Sequence, residues 1–226
     1  MPDYELLIFD WDGTLADSVS RIVESVRAAA HLLGLPAPDE PAIRGIIGLG
    51  LPEAIAALYP ELEPAAAERY RLAYADHYVT LDIEPPPLFP GVVEGLEALR
   101  RAGYRLAVAT GKTRRGLQRV LEGHGWLDYF EITRCADESG SKPDPRMLHE
   151  ILAHCEVAAE RALMVGDATF DLQMARNAGM DAVAVGYGAQ PLERLRPFSP
   201  RLEIMDFAEL RDWLLPVARP RSLEGV

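Results

Sequence analysis

Five short apolar runs occur along the chain, and amphipathic stretches separate the later ones. The runs are YELLIFD (4–10), YRLAVAT (104–110), FEITRC (130–135), RALMVGD (161–167) and DAVAVGY (181–187). The stretches PGVVEGLEALRRAG, TRRGLQRVLEGHG, PDPRMLHEILAHC and ATFDLQMARNAGM have helical spacing, and each ends at a glycine or a loop. Strands that alternate with helices predict an α/β fold, a doubly wound parallel sheet with helices on both faces.

Residues 16–89 interrupt this alternation. They read as consecutive helices, namely SVSRIVESVRAAAHLLGL, LPEAIAALYP and PAAAERYRLAYADHYV, without a convincing strand among them. The chain returns through EPPPLFPG (84–91), whose prolines disfavour both a continuing helix and a central strand. We therefore predict an inserted all-helical domain at 16–89 and a sheet domain formed by 1–15 together with 90–226. The tail from about 216 is predicted to be frayed.

Small polar or acidic residues follow the apolar runs. Asp10 and Asp12 follow the first run, Thr110 ends the second, and Asp167 and Asp171 follow the fourth. In an open parallel sheet the carboxyl ends of the strands border the ligand crevice, so we expect these residues to converge there. Carboxylates that are packed together repel one another, so a cation should hold them. Mg²⁺, which prefers oxygen ligands, is the simplest candidate.

Each of these signals has a plainer interpretation when it stands alone. Asp12-Gly13 is a common turn dipeptide, and Asp167 could cap the following helix while Asp171 lies on a solvated face. The stretch ATGK could be a strand that ends in a capping glycine, and SKPDP (141–145) could be an ordinary loop. Their occurrence together, in order and at strand ends, favours a functional site.

The charged residues narrow the range of partners. The net charge of −12 opposes attraction to nucleic acid or to an anionic membrane surface. Arginine supplies 21 of the 23 basic residues, and Lys112 and Lys142 are the two lysines. Lysine offers a point charge where arginine offers a planar fork, so both positions are of interest. The lack of a signal peptide or membrane-span pattern, together with only two cysteines, predicts a cytoplasmic protein.

Four segments together resemble the motif set of the haloacid dehalogenase superfamily of phosphohydrolases. DWDGTLADS (10–18) resembles its nucleophile motif, and VATGK (108–112) resembles its second motif, a strand ending in Thr or Ser. SKPDP is similar to the third motif, a lysine followed by proline, and VGDATFD (165–171) is similar to the fourth. The resemblance extends over nearly the whole chain. It implies a Rossmann-like core, and the helical insertion is similar to the cap of phosphoglycolate phosphatases and β-phosphoglucomutase.

The resemblance implies roles for the acidic residues. Asp10 would be the nucleophile that forms an aspartyl phosphate, and Asp12 would be the general acid and base. Mg²⁺ would be bound by Asp10, by the backbone carbonyl of Asp12 and by Asp167, with Asp171 bound directly or through water. The neighbouring carboxylates of Asp10 and Asp12 would then have different roles, because Asp10 stays charged while Asp12 exchanges a proton.

The resemblance also implies how the phosphoryl group would be bound. The Thr110 hydroxyl and the Gly111 amide would contact its oxygens, and Lys142 would balance the charge of Asp10 and of the phosphate.

Two further cations are candidate substrate contacts. Lys112 lies just past the second motif, where it could meet a distal anion of the substrate, although solvent exposure or a place near a helix N-terminus is an equal alternative. Arg44 lies in IRGIIGLGLPEA (43–54), whose three glycines indicate either an interhelical turn or a specificity loop with amides facing the substrate.

The implied activity is Mg²⁺-dependent hydrolysis of a small phosphorylated metabolite, phosphoglycolate phosphatase-like. Pyrophosphatase and nucleotidase activity remain alternatives, as does a sugar phosphomutase. Asp12 argues against dehalogenation, and the lack of lysine in 16–89 excludes a Schiff base formed by the cap. A binding protein without activity would be expected to have lost one of the four motif residues Asp10, Asp12, Lys142 or Asp167. A monomer and a homodimer are both compatible with the sequence.

Overall fold

A six-stranded parallel sheet forms the centre of the molecule in a computed structural model, which describes residues 3–81 and 84–215. The strands, in chain order, are β1 (Leu6–Phe9), β2 (Arg105–Thr110), β3 (Ile132–Cys135), β4 (Ala162–Gly166), β5 (Asp181–Val185) and β6 (Leu202–Ile204). Their order across the sheet is β3-β2-β1-β4-β5-β6, and every neighbouring pair is parallel. The predicted α/β fold with a doubly wound sheet is confirmed.

Helices cover both faces of the sheet and form a separate group between β1 and the rest of the chain. Within the described residues they are α1 (Val19–Leu32), α2 (Glu40–Ile46), α3 (Leu51–Leu58), α4 (Pro64–Leu81), α5 (Val92–Arg101), α6 (Arg114–His124), α7 (Arg146–Cys155), α8 (Thr169–Asn177), α9 (Leu192–Leu195) and α10 (Phe207–Leu214). None of these described helices has the length and apolar character needed to cross a bilayer.

The two faces of the sheet are buried by different helices. Along β1, Leu7 and Phe9 point into a core shared with α5, α6 and α10, whereas Leu6 and Ile8 point into a core shared with α7, α8 and α9. Successive strand residues alternate between the faces, and both faces are covered, so every residue of the strand is apolar. This double burial explains why the strands appear in the sequence as continuous apolar runs.

The helices α1–α4, which we call the helical segment, form two small cores of their own. Val19, Ile22 and Ile43 belong to one core, and Ala30 and Ile55 belong to the other. The Tyr70 hydroxyl donates a hydrogen bond to the Val26 carbonyl oxygen at 2.7 Å and so joins α4 to α1. The division into a sheet domain of 1–15 with 90–226 and a cap domain of 16–89 stays a prediction.

Two short stretches of chain connect the helical segment to the sheet and lie side by side. Ala16 and Leu88 form an isolated antiparallel bridge. The Asp17 amide donates to the Pro87 carbonyl oxygen at 2.8 Å, and the Phe89 amide donates to the Leu15 carbonyl oxygen at 2.9 Å. The proline-rich segment 84–91 therefore pairs with residues 15–17 through an isolated bridge only. This limited pairing does not require the N–H groups that the prolines lack.

Four of these elements were not predicted, namely α2, α9 (a single turn of four residues), α10 and β6. Helix α2 begins after Asp39, whose carboxylate accepts a hydrogen bond from the Ala42 amide at 2.8 Å. Strand β6 has three residues at the sheet edge, too few to give a periodic signal. Helix α10 begins after Asp206, whose side chain accepts from the Ala208 amide at 2.7 Å. An aspartate cap was therefore available as a signal for both helices. The tail predicted to be frayed lies outside the described residues.

Candidate active site

The carboxyl end of β1 lies where the order of the sheet changes direction, because β2 and β4 flank β1 on opposite sides. Asp10 follows β1 directly, and its amide donates to the Val165 carbonyl oxygen at 2.9 Å. Asp167 follows β4, the adjacent strand. Ligands of open α/β sheets bind at such a point.

Three buried carboxylates meet there. Asp10, Asp167 and Asp171 each offer a carboxylate oxygen, and these oxygens lie within 4.8 Å of one another. The Lys142 ammonium joins two of them, because its Nζ lies 2.6 Å from Asp10 Oδ1 and 2.6 Å from Asp171 Oδ1. We call these four residues the acidic cluster. The burial of Asp171 contradicts the alternative that places it on a solvated face.

The acidic cluster carries more negative than positive charge. Burial raises the pKa of Asp10 well above its ordinary value, Lys142 opposes this shift, and Asp171 and Asp167 add to it. Burial, followed by the Asp171 charge, raises the pKa of Asp167 to about 7, against the opposing effect of the Ala189 amide. The pKa of Lys142 is raised, because Asp10 and Asp171 outweigh the lowering effect of burial.

The acidic cluster fits a hard divalent cation. Three carboxylates face one ammonium, so a dication would neutralise the remaining formal charge. Asp10 Oδ2 is buried and has no hydrogen-bond partner among the described residues, although a buried carboxylate oxygen ordinarily has one. Carboxylate oxygens in a compact group are the ligands that Mg²⁺ prefers. A metal ion could therefore be held here.

Asp167 is fixed in position by its neighbours. The Thr14 hydroxyl donates to Oδ1 at 2.9 Å, and the Ala189 amide donates to Oδ2 at 2.6 Å. Gly13 has a φ of +83°, and a side chain there would overlap the Asp167 carboxylate. Glycine is therefore required at position 13 both for the backbone conformation and for the space that Asp167 occupies.

Asp171 is held within its own helix. The Ala168 amide donates to Asp171 Oδ2 at 3.0 Å at the first turn of α8. Ala168 occupies the N-cap position. The alternative in which Asp167 caps this helix is therefore wrong.

Asp12 has a different set of partners from the acidic cluster. Its Oδ1 accepts a hydrogen bond from the Ser18 hydroxyl at 2.6 Å and lies 3.0 Å from the Lys112 Nζ. The Lys112 side chain is only 10% exposed, which contradicts the alternative of solvent exposure. Burial lowers the pKa of Lys112, but the charge of Asp12 and the nearby tyrosines outweigh burial and raise it.

The predicted phosphate-binding residues lie at the end of β2. The Thr110 side chain is fully buried, and its hydroxyl oxygen accepts a hydrogen bond from the Lys112 amide at 3.2 Å. Gly111 lies against the turn between α2 and α3, where a Cβ atom would overlap the carbonyl oxygens of Gly48 and Leu49.

A cavity of about 690 Å³ opens beside Asp10 and Asp12. Gly111, Lys112 and residues of α6 form part of its wall, and residues of α1, α3, α4 and the turn before α3 form most of the rest. Asp10 of the acidic cluster, the second motif and the helical segment thus meet at one space. This is the arrangement expected of a site at which a ligand contacts both parts of the chain.

Arg44 is the predicted substrate contact that the structure does not bring to this cavity. Its Nε lies 2.9 Å from Glu40 Oε1, and its Nη1 donates to the Gly188 carbonyl oxygen at 3.4 Å. Arg44 instead lines a second, shallower pocket beside α1. The i, i+4 spacing of Glu40 and Arg44 on α2 favours this pairing. The structure therefore places Arg44 outside this cavity, and its role as an anion contact stays a prediction.

The segment 43–54 contains the end of α2, the interhelical turn 47–50 and the start of α3, and it lines the cavity, for example through Gly48 and Leu49 of the turn. Two of its amides are used within the protein, because that of Leu49 donates to the Ile46 carbonyl oxygen at 3.2 Å and that of Gly50 to Ser141 Oγ at 2.8 Å. These two amides are not free to face a substrate.

Several residues that shape the site were not assigned a role from sequence. Thr14 and Ser18 lie inside the quoted DWDGTLADS motif, so the motif itself was the signal that could have identified them. Ser141 adjoins Lys142, and its hydroxyl oxygen accepts a hydrogen bond from the Gly50 amide. The backbone amide of Ala189 had no sequence signal, because any residue type except proline supplies such a donor.

The raised pKa of Asp167 leads to a prediction for the metal-free protein. A carboxyl whose pKa rises from 3.8 to about 7 on folding favours the folded state at low pH and disfavours it as pH increases towards 7. We expect Asp167→Asn to increase the free energy of unfolding relative to the wild type by roughly 2 kcal/mol more at pH 8 than at pH 5.5. Urea unfolding in EDTA at both pH values measures this. Asp128→Asn, an exposed control, should show equal effects at the two pH values, and an Asp167→Asn effect independent of pH would contradict the prediction.

Comparison with known proteins agrees with this geometry. The chain matches the family described as haloacid dehalogenase-like hydrolase over residues 7–185. It is 40% identical over 213 residues to the "probable phosphatase IndB" of Dickeya dadantii, covering 91% of each chain. It is 33% identical over 208 residues to a phosphoglycolate phosphatase of Vibrio cholerae, covering 87% of this chain and 92% of the relative.

Among solved structures, a predicted phosphoglycolate phosphatase from Haemophilus somnus 129PT is 26% identical to the chain. The two structures superpose with a TM-score of 0.83, covering 95% of this chain and 99% of that one. The strand order, the ordered motifs at the strand ends and these matches lead to one conclusion: the chain belongs to the haloacid dehalogenase-like hydrolase family.

Proposed function

We propose that the protein is a Mg²⁺-dependent phosphatase that hydrolyses a small phosphorylated metabolite through an aspartyl phosphate on Asp10. Its family makes it a hydrolase, and its relatives named as phosphatases support phosphate esters as its substrates. The observation that carries the proposal is the buried, unpartnered Oδ2 of Asp10, a residue that lines a cavity large enough for a metabolite.

Asp10 has the features of a nucleophile. Its carboxylate must be charged to attack phosphorus, and the Lys142 ammonium at 2.6 Å from Oδ1 favours the charged form against burial. In the first step a carboxylate oxygen of Asp10 forms a bond to phosphorus while the bond from phosphorus to the leaving oxygen breaks. In the second step the oxygen of a water molecule forms a bond to phosphorus while the bond from phosphorus to the Asp10 oxygen breaks. This step releases inorganic phosphate and restores the carboxylate.

Asp12 would move the protons in both steps. It would protonate the departing alkoxide and then accept a proton from the water that attacks the phosphoenzyme. Ser18 and Lys112 both contact Oδ1 of Asp12, which leaves Oδ2 for proton exchange. Asp12 also lines the cavity, as a group that reaches the leaving oxygen must.

Asp10, Asp167 and the backbone carbonyl of Asp12 would hold Mg²⁺, with Asp171 bound directly or through water. Bound Mg²⁺ would neutralise the repulsion between the carboxylate and the phosphoryl group and orient the latter. The Thr110 hydroxyl and the Gly111 amide would bind phosphoryl oxygens.

The net charge of −12 supports a protein that binds neither nucleic acid nor an anionic membrane surface. Its location in the cytoplasm and its monomeric or homodimeric state stay predictions from the sequence. The names of the relatives make 2-phosphoglycolate the first substrate to test. Pyrophosphate, nucleoside monophosphates and hexose phosphates represent the alternatives, and a phosphomutase would convert a sugar phosphate without releasing phosphate.

Removal of the metal is the direct test of this proposal. We expect the purified protein to hydrolyse p-nitrophenyl phosphate with Mg²⁺ and to lose at least about 100-fold in rate with excess EDTA, because repulsion within the acidic cluster would then be unopposed. Added Mg²⁺ should restore the rate. A folded protein that hydrolyses neither this ester nor 2-phosphoglycolate, pyrophosphate, nucleoside monophosphates or hexose phosphates would contradict the proposal and favour a binding function.

A further inference from the structure

The interior of the 690 Å³ cavity beyond Asp10 and Asp12 is apolar. The other buried residues of its wall are aliphatic or tyrosine side chains, for example Ile22 and Val26 of α1 and Ile55 of α3. A wall of this kind favours an apolar ligand, because each apolar group that leaves water contributes favourably to binding. The cavity is also much larger than a two-carbon acid requires.

Helix α4 contributes a row of three tyrosines to the same wall. Tyr70, Tyr74 and Tyr78 are spaced four residues apart, which places them on one side of the helix, and all three line the cavity. The Tyr70 hydroxyl already donates to the Val26 carbonyl oxygen at 2.7 Å, and the Tyr78 hydroxyl oxygen lies 3.4 Å from the Lys112 Nζ. The hydroxyl groups of these two tyrosines are therefore engaged within the protein, and the Lys112 ammonium also lies over the Tyr78 ring, 4.9 Å from its centroid.

The cations of the wall that the structure describes are either paired with a carboxylate or partly to largely exposed. Lys112 is the buried cation of the wall, and Asp12 already neutralises it at 3.0 Å. The other cations of the wall within the described residues are Arg71, Arg115 and Arg119, which are partly or largely exposed, and Arg71 pairs with Glu68 Oε1 at 2.6 Å. A carboxylate close to the phosphoryl group, as in 2-phosphoglycolate, would be desolvated without a free partner.

We propose that the leaving group of the physiological substrate is uncharged and has a substantial apolar body, such as a hydrocarbon chain or a ring. The inference rests on the proposed phosphatase function of the same site and specifies its substrate class. The acidic cluster binds the phosphoryl group, and the tyrosine row with the aliphatic residues of α1 and α3 binds the apolar body. Esters of short charged acids are then poor substrates.

A series of n-alkyl phosphates from methyl to hexyl, compared with 2-phosphoglycolate in the presence of Mg²⁺, tests this. The alcohols released from ethyl phosphate onwards have nearly equal acidity, so the chemical step stays constant while the apolar body grows. We expect kcat/KM to increase by up to about fourfold for each added methylene. Hexyl phosphate should exceed 2-phosphoglycolate by at least tenfold. A flat series, or a preference for 2-phosphoglycolate, would overturn this inference and leave the phosphatase function intact. If none of the esters is hydrolysed by folded protein, the phosphatase function and the inference both fail.

A pair of variants on α3 locates the effect in the cavity. Ala54 lines the cavity, whereas Ala57 is exposed on the same helix and does not line it. Ala54→Phe should lower kcat/KM for hexyl phosphate by at least tenfold more than for methyl phosphate, because the ring fills the space that the longer chain would occupy. Ala57→Phe should change neither. Equal losses for both esters in a folded Ala54→Phe protein would show that the apolar body binds elsewhere and would overturn the inference, and the alkyl series on the wild type decides independently of this variant.

Discussion

Asp10→Asn should reduce the rate of phosphate ester hydrolysis by at least about 10⁴-fold while the protein remains folded. The amide is nearly isosteric with the carboxylate but is a far weaker nucleophile, and loss of a nucleophile removes most of the rate enhancement in covalent catalysis. The measurement is kcat with p-nitrophenyl phosphate, together with the thermal unfolding midpoint.

The control for this variant is Asp128→Asn, the same chemical change at an exposed residue outside the site. It should keep the wild-type rate. An Asp10→Asn protein with more than about a tenth of wild-type kcat would contradict the role of Asp10. A loss of activity accompanied by unfolding would not support it either, so both measurements are needed.

Lys142→Met should destabilise the metal-free protein at pH 8 by about 3–5 kcal/mol. The Lys142 side chain is fully buried and lies 2.6 Å from both Asp10 and Asp171, so its removal leaves the carboxylates of the acidic cluster without a cation. We also expect activity to fall sharply, because the Asp10 carboxylate would take up a proton more readily. Urea unfolding in EDTA gives the stability, and added Mg²⁺ should restore more of it in the variant than in the wild type.

A double-mutant cycle separates the charge effect from lost packing. Asp10→Asn combined with Lys142→Met removes one anion along with the cation, so it should be less destabilising than the sum of the single changes. Additive effects would mean that the ammonium and the Asp10 carboxylate do not interact across 2.6 Å. The activity of the double variant carries no information, since Asp10 is absent.

The fold was largely predictable because burial on both sheet faces leaves a strong signal. Strands β1, β2, β4 and β5 carry continuous apolar runs, and each was predicted within two residues of its ends. Strand β6 was missed because an edge strand of three residues needs little apolar character. Helix α2 was missed because the seven residues that it contains give hardly two turns of periodicity.

The convergence of the acidic residues was predictable from topology alone. Asp10 and Asp167 follow adjacent parallel strands, and the carboxyl ends of such strands share one edge. The pairing of Arg44 with Glu40, by contrast, was not predicted, because the glycines of segment 43–54 hid the helix α2. The two residues lie four positions apart on that helix. The four-residue spacing of the tyrosines in α4 can be read from the sequence. The sequence does not show that this side of the helix faces the cavity.

The contact between Gly111 and the turn before α3 restricts what position 111 can become. The space that a side chain would fill there is occupied by the carbonyl oxygens of Gly48 and Leu49. Even a single methyl group would overlap these oxygens and force the helical segment away from the end of β2. The tolerance of this position to mutation is therefore limited by the fit of the two surfaces, independently of any hydrogen bond that its amide makes to a substrate.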